Sequence, residues 1–296
     1  MSKRYLWRLK QREIVLGEHT LLMGVLNVTP DSFSDGGKYS DPDRAFARAI
    51  EIEEEGADIL DIGAESTRPG SHRLPEAEEL RRLIPVLKRL RGKLTIPISV
   101  DTYKSAVAEK ALEHGAEIIN DPTGILLDLH LPRVVTKYDA GLIINHMRGS
   151  PETWAKLPPL KDLMRSIMID LEAALNRVRQ AGVQRHQIVI DPGLGFGKRR
   201  EQNSEIIANL EALRSFDLPI LVGPSRKSFL RKEQPEATEF ATAAAVTACI
   251  LNGAHLVRVH DVKAMRSVVE VAEAIRQAAA VESENSPAQA RWHRAQ

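Results

Sequence analysis

The feature that most constrains this chain is an eightfold alternation of short apolar runs with longer amphipathic stretches. Four of the runs share one plan. They are Gly56-Ala57-Asp58-Ile59-Leu60-Asp61, Gly115-Ala116-Glu117-Ile118-Ile119-Asn120, Ala140-Gly141-Leu142-Ile143-Ile144-Asn145-His146 and Gly253-Ala254-His255-Leu256-Val257-Arg258-Val259-His260. A small residue leads in and a polar residue leads out. The glycine suits a helix C-cap, where a left-handed backbone is needed. The Ile, Leu and Val that follow are too few for a helix and read as a strand buried on both faces. Runs at 21–27, 96–101, 187–191 and 219–223 complete the set, and helical patterns occupy 42–56, 75–92, 104–115, 127–138, 160–182, 202–215, 237–252 and 262–280.

Strands that alternate with helices pair in parallel through right-handed crossovers. Eight such units in 296 residues point to an α/β fold, a (β/α)8 TIM barrel, spanning 21–281. An open doubly wound sheet is the other arrangement this alternation permits. Residues 1–20 alternate at Tyr5, Trp7, Leu9, Ile14 and Leu16 and predict an N-terminal hairpin over the barrel floor. Residues 282–296 read as a flexible C-terminal tail.

Composition narrows the partners. Lys and Arg number 41 against 40 Asp and Glu, a net charge of +1, which is no footprint for nucleic acid. The single cysteine, Cys249, can form no internal disulfide and supports no Cys-based zinc site. It sits in an apolar helical stretch and reads as core rather than as a nucleophile. No apolar run reaches the roughly 18 residues of a membrane span, and the N-terminus is charged where a signal peptide is apolar. The expectation is a soluble, cytoplasmic protein with no nucleic-acid or membrane partner.

Polar residues fall where the apolar runs end: Asn27, Asp61, Asp101, Asn120, Asn145-His146, Asp191, Ser225 and Arg258/His260. In a (β/α)8 barrel those ends meet on one face, where active sites form. Two turns are long and rich in Gly, Pro, Ser and Asp: 27–37, with Phe33, and 61–70, with Thr67, Arg68 and Pro69. They suit mobile lids over an anion and an aromatic ring, or plain surface loops. Asp191-Pro-Gly-Leu-Gly-Phe-Gly-Lys198 is not a phosphate loop, because Pro192 and Arg199 break the required pattern. Its glycines suit a tight strand-to-helix turn, or a backbone that passes close to a ligand facing Asp191. Ser225-Arg226-Lys227-Ser228 follows a strand and offers a cation and hydroxyls. Arg258 and His260, two apart on a strand, share a face and suit a diphosphate or a strand-end salt bridge. His146 reads as a packed histidine.

Taken in order, the segments MGVLNVTPDSFSDGG, DIGAESTRPG, ISVDTYK, IIND, HMRGSPETW, DPGLGFGK, SRKSFL and RVHDV resemble the dihydropteroate synthases of the pterin-binding family, from about Leu22 to Val262. The resemblance implies a (β/α)8 barrel and a transferase of folate biosynthesis. The implied reaction condenses (7,8-dihydropterin-6-yl)methyl diphosphate with 4-aminobenzoate. Its products are 7,8-dihydropteroate and diphosphate, its cofactor Mg²⁺ and its commonly assembled form a homodimer. By the same resemblance, Asp101, Asn120, Asp191 and Lys227 match the pterin pocket, and Arg258 and His260 match the diphosphate site. Asn27 matches the Mg²⁺-linked residue and, with Arg258 and His260, a stabiliser of the leaving group. Thr67 and Arg68 match the closing loop on the pterin diphosphate side, and Phe33, Pro69 and Ser228 match the 4-aminobenzoate side. No covalent nucleophile is implied.

The chain departs from the family pattern in three places. Ala64 stands where a second Gly is usual, Asp121-Pro-Thr-Gly replaces a commoner Asp-hydrophobic-Ser-Gly turn, and Glu239-Phe-Ala-Thr242 replaces an Arg-containing segment. Two other functions fit a pterin-binding barrel: a methyltetrahydrofolate-binding methyltransferase domain and a non-catalytic pterin-binding paralogue. The loop sequences NVTPDSF and STRPG and the strand end RVHD weigh against the first, and the retained polar residues against the second.

Overall fold

The structure, a computed structural model, describes residues 3–29, 42–66 and 70–285. An antiparallel hairpin opens it. Strand β1 (Tyr5–Arg8) pairs with β2 (Glu13–Leu16). The barrel follows as β3 (Leu21–Asn27), β4 (Ile59–Gly63), β5 (Ile98–Asp101), β6 (Ile118–Asp121), β7 (Gly141–Asn145), β8 (Ile188–Asp191), β9 (Leu221–Val222) and β10 (Leu256–Val259). Every barrel pairing is parallel, in the order β8-β7-β6-β5-β4-β3-β10-β9. A parallel bridge between Ile190 and Ile220 joins β8 to the entry of β9 and closes the ring. The barrel expectation holds.

Helices α1 (Pro42–Glu54), α2 (Glu76–Leu90), α3 (Ser105–Glu113), α4 (Leu131–Tyr138), α5 (Leu163–Gln180), α6 (Arg200–Ala208), α7 (Pro235–Leu251) and α8 (Val262–Asn285) return the chain between strands. Several boundaries differ from expectation for local reasons. Strand β9 keeps two residues of the five in its apolar run, because Pro219 has no N–H to give to a ladder. Helix α4 starts late: Ile125 adopts a left-handed backbone, φ 59°, and Asp128 accepts hydrogen bonds from the His130 and Ser105 amides. The pattern at 202–215 splits at Asn209, whose amide side chain donates to the Glu205 carbonyl at 2.8 Å, and continues as a 3-10 turn over Leu210–Phe216. Helix α8 runs four residues into the stretch read as a tail. Among the described residues no helix is long and apolar enough to cross a membrane.

Strand side chains alternate between two cores. The outward set, including Leu22, Leu60, Ile62, Ile119, Leu142, Ile144, Ile190 and Val257, packs under the helices. The inward set at the N-terminal end is Met23, Ile59, Ile118, Ile143, Val189, Leu221 and Leu256, and it forms one cluster with Trp7, Leu9 and Leu16 of the hairpin. The hairpin therefore stoppers the floor. Trp7 is 1% exposed, and its indole N–H donates to the Gln187 carbonyl at 2.8 Å. Truncating a buried Trp removes its apolar contacts and leaves a cavity. Trp7→Ala should cost about 3–5 kcal/mol in urea unfolding and leave ligand affinity at the opposite end intact.

Candidate active site

Moving two residues along each strand keeps the face and climbs the barrel. Two residues beyond Ile59 is Asp61, beyond Ile118 Asn120, beyond Ile143 Asn145, beyond Val189 Asp191 and beyond Leu256 Arg258; Asp101 ends β5 in the same layer. The apolar floor thus carries a ring of amides and charges directly above it. This juxtaposition follows from strand period and barrel closure together, since neither alone would bring β4, β5 and β10 into contact.

Arg258 is the centre of the ring. Its Nε donates to Asp61 Oδ2 at 2.6 Å and its Nη2 to Asp101 Oδ2 at 3.1 Å. Asn120 Nδ2 reaches the same Asp61 oxygen at 3.3 Å. Asp61 is fully buried, and its Oδ1 has no hydrogen-bond partner. Burial pushes the Asp101 carboxyl up to about 7, against the pull of the Arg258 guanidinium. Asp61 was only a strand-end polar residue in the sequence and was not among the expected ligands. Its signal was the alternation Ile59, Asp61, Gly63, which places a carboxylate inward with an open glycine above it.

Asp191, at the end of β8, accepts from the Gly193 amide at 2.7 Å, and burial raises its carboxyl to about 6. Lys227 lies with its amine 4.2 Å from the centre of the Phe196 ring. Burial and then Arg258 depress that amine to about 8, while Asp191 and Asp101 oppose the shift. Lys227 reaches inward because the preceding Arg226 takes a left-handed backbone, φ 56°. Arg226 Nε is held by Glu239 at 2.5 Å, so the residue that departs from the family pattern here supports the turn that presents Lys227.

The glycine-rich turn after β8 serves a different purpose from the one expected. A β-carbon at Gly193 would stand 2.0 Å from the His146 carbonyl oxygen, and one at Gly197 2.3 Å from that of Arg148. Gly193 and Gly197 admit a neighbouring loop of the protein, while Gly195 leaves room for the Lys227 side chain. Lys198 fastens that contact: its buried amine donates to the carbonyls of His146, Pro192 and Gly193 at 2.7–2.9 Å. No sequence pattern distinguished this lysine from a solvated one. His146 is packed, as expected, with Nε2 3.0 Å from Asp170 Oδ2 and its ring held down at about 4, chiefly by burial. Cys249 is core, as expected.

Asn27 ends β3, and its Oδ1 stands 3.5 Å from where a Gly63 β-carbon would be; Asp101 borders the same opening. His260 follows β10 with its ring against Ser225. Ser228, itself exposed, opens a 3-10 turn beyond Lys227. Phe33, Thr67, Arg68 and Pro69 lie outside the described residues. The other two departures are accommodated locally. Ala64 has no positive φ, so its backbone does not require glycine. Asp121 accepts from the Thr123 hydroxyl and from the amides of Thr123 and Ile125, which folds its own turn.

A buried carboxylate pair is tolerable only with its cation present. Arg258→Ala should destabilise the protein by about 3–5 kcal/mol near pH 8. Asp101 already titrates near 7 and rises further without the guanidinium. It can protonate at about pH 6, so the deficit should shrink there. Urea unfolding at the two pH values checks this; an equal deficit at both would contradict it.

A sequence profile of the family described as pterin binding enzyme matches residues 23–260. A dihydropteroate synthase from Synechocystis is 42% identical over 263 residues, covering 88% of this chain and 91% of that protein. Among solved structures, a dihydropteroate synthase from Clostridium difficile determined in the presence of pteroic acid is 42% identical, with a TM-score of 0.82 over 88% of this chain and 98% of that one. A Xanthomonas albilineans dihydropteroate synthase with 4-aminobenzoic acid is 36% identical, with a TM-score of 0.85 over 93% and 99%. Profile, relatives and barrel agree, and the chain belongs to the pterin binding enzyme family, alongside its dihydropteroate synthases.

Proposed function

We propose that this chain is a transferase that condenses (7,8-dihydropterin-6-yl)methyl diphosphate with 4-aminobenzoate, yielding 7,8-dihydropteroate and diphosphate. The observation that carries this reading is the ring above the floor, where the carboxylates of Asp61, Asp101 and Asp191, the Asn120 amide and the Lys227 amine surround the Arg258 guanidinium. A pterin edge alternates donors and acceptors. Asp101 and Asp191 accept from its amino and ring N–H groups, while Asn120 and Lys227 donate to its nitrogen and oxygen. Arg258, held flat by Asp61 and Asp101, offers a planar cation to stack on the heterocycle.

The bond that breaks joins the methylene carbon to the diphosphate oxygen. Arg258 and His260 stabilise the charge that gathers on the departing group. The electron-rich dihydropterin carries the positive charge left on the methylene carbon. The amine of 4-aminobenzoate then forms the C–N bond and releases a proton. No protein nucleophile is required, and Cys249, buried with its thiol pushed far above its usual range, supplies none. Thr67, Arg68, Pro69, Phe33 and Ser228 are assigned to closure and to the 4-aminobenzoate site on the family resemblance.

Among the described residues no group of three His, Cys, Asp or Glu is placed to hold a metal. Asn27 offers a single neutral oxygen beside Asp101. That donor set fits Mg²⁺, which takes one or two protein oxygens and completes its shell with phosphate oxygens and water. When bound, the ion would neutralise the leaving diphosphate. The same resemblance supports a homodimer.

The direct test is product formation from the pterin diphosphate and 4-aminobenzoate, with methyltetrahydrofolate as the rival substrate. Turnover of the first pair that is abolished by chelation and strongly lowered in Asn27→Ala is expected. Activity only with methyltetrahydrofolate would overturn the assignment. A pH signature follows from the same residues. Affinity for a bare pterin should climb as Asp191 and Asp101 ionise through about 6 and about 7. It should decline above about 8 as Lys227 loses its proton. Calorimetry from pH 5 to pH 9 should therefore trace a bell, and a flat profile would remove these groups from the pterin pocket.

A further inference from the structure

Ser225 has no role in the reading above, although it is buried at the mouth of the barrel, 3% exposed. Its hydroxyl touches His260 twice. The backbone N–H of His260 donates to Ser225 Oγ at 3.2 Å, and the same oxygen lies 3.0 Å from His260 Nδ1. A serine hydroxyl has one proton to give and two lone pairs to receive with. The backbone amide can only donate, so it takes a lone pair. The hydroxyl proton then needs an acceptor, and Nδ1 is the one within reach. Were Nδ1 to carry the ring proton, both lone pairs would be taken and the hydroxyl proton would be left buried with no acceptor among the described residues.

We infer that Ser225 is a positioning residue that fixes the tautomer of His260, making Nδ1 an acceptor and Nε2 the N–H donor that faces the departing diphosphate. This deepens the proposed function and rests on it for the identity of the ligand. The neutral ring, which needs no proton from solvent, then offers a donor in the correct place before any substrate arrives. The turn that carries Ser225 is the one braced by Arg226 and Glu239 and followed by Lys227. The hydroxyl is therefore aimed by the same backbone that aims the lysine.

The test reads the ring directly. In the full chain labelled with ¹⁵N-histidine at about pH 8, above the unperturbed histidine pKa of about 6.5, two-bond ¹H–¹⁵N correlation reports which nitrogen of His260 bears the proton. The resonance is assigned by its loss in His260→Gln. The wild type should show Nε2–H, Ser225→Ala a mixture or Nδ1–H, and Ser225→Thr, which keeps the hydroxyl, the wild-type pattern. Inorganic pyrophosphate should bind about five- to tenfold more weakly to Ser225→Ala, the loss of one well-placed hydrogen bond, and Ser225→Thr should recover the affinity. Nδ1–H in the wild type, or a tautomer unmoved by Ser225→Ala, would overturn the inference whatever the affinities. If the tautomer shifts as expected but pyrophosphate affinity is unchanged in both Ser225→Ala and His260→Gln, the diphosphate reading of His260 fails, and the inferred purpose of Ser225 falls with it.

Discussion

The site depends on one buried ion cluster, the Arg258 guanidinium held between Asp61 and Asp101. Removing charges from water costs several kcal/mol per ion, and their attraction returns that only with good geometry. An apolar layer at this height of the barrel would serve stability at least as well. What the cluster supplies is a flat cation whose plane is set before a ligand arrives, flanked by an acceptor at Asp101 that titrates near neutrality. Stability is given up so that orientation is already settled, the usual bargain at a functional site.

The fold was largely legible because both of its periods are plain in the sequence. Short Ile, Leu and Val runs bounded by glycine can be little other than doubly covered strands, and their number favours a barrel over the open sheet that the alternation also permits. The boundaries were less legible where a single residue overrode the pattern. Pro219 shortens β9, Asn209 divides a helix with its own side chain, and the left-handed Ile125 delays α4. Such effects depend on a side chain's choice between local and long-range hydrogen bonds, which periodicity does not encode.

The site was legible as a set of strand ends and not as a network. Asn27, Asp61, Asp101, Asn120, Asp191 and Arg258 were all picked out as strand ends, yet Asp61 was given no role although it makes the shortest contact to Arg258. Its partner lies 197 positions away, a distance only barrel closure removes. The glycines after Asp191 were read toward a ligand, whereas the neighbouring loop and Lys198 occupy that space. A glycine reports that something passes close by, and the sequence does not say what.

The hairpin stopper has a consequence for traffic. Trp7, Leu9 and Leu16 seal one end of the barrel, so a ligand reaches the polar ring from the other end. On the proposed function, the heterocycle that reaches the polar ring travels past the side assigned to its co-substrate, and anything lodged there bars its retreat. On that reading, loading runs from the inside outward and unloading from the outside inward. A molecule that fills only the outer berth while the inner one is empty has nothing to join with, and it delays the partner that must pass it.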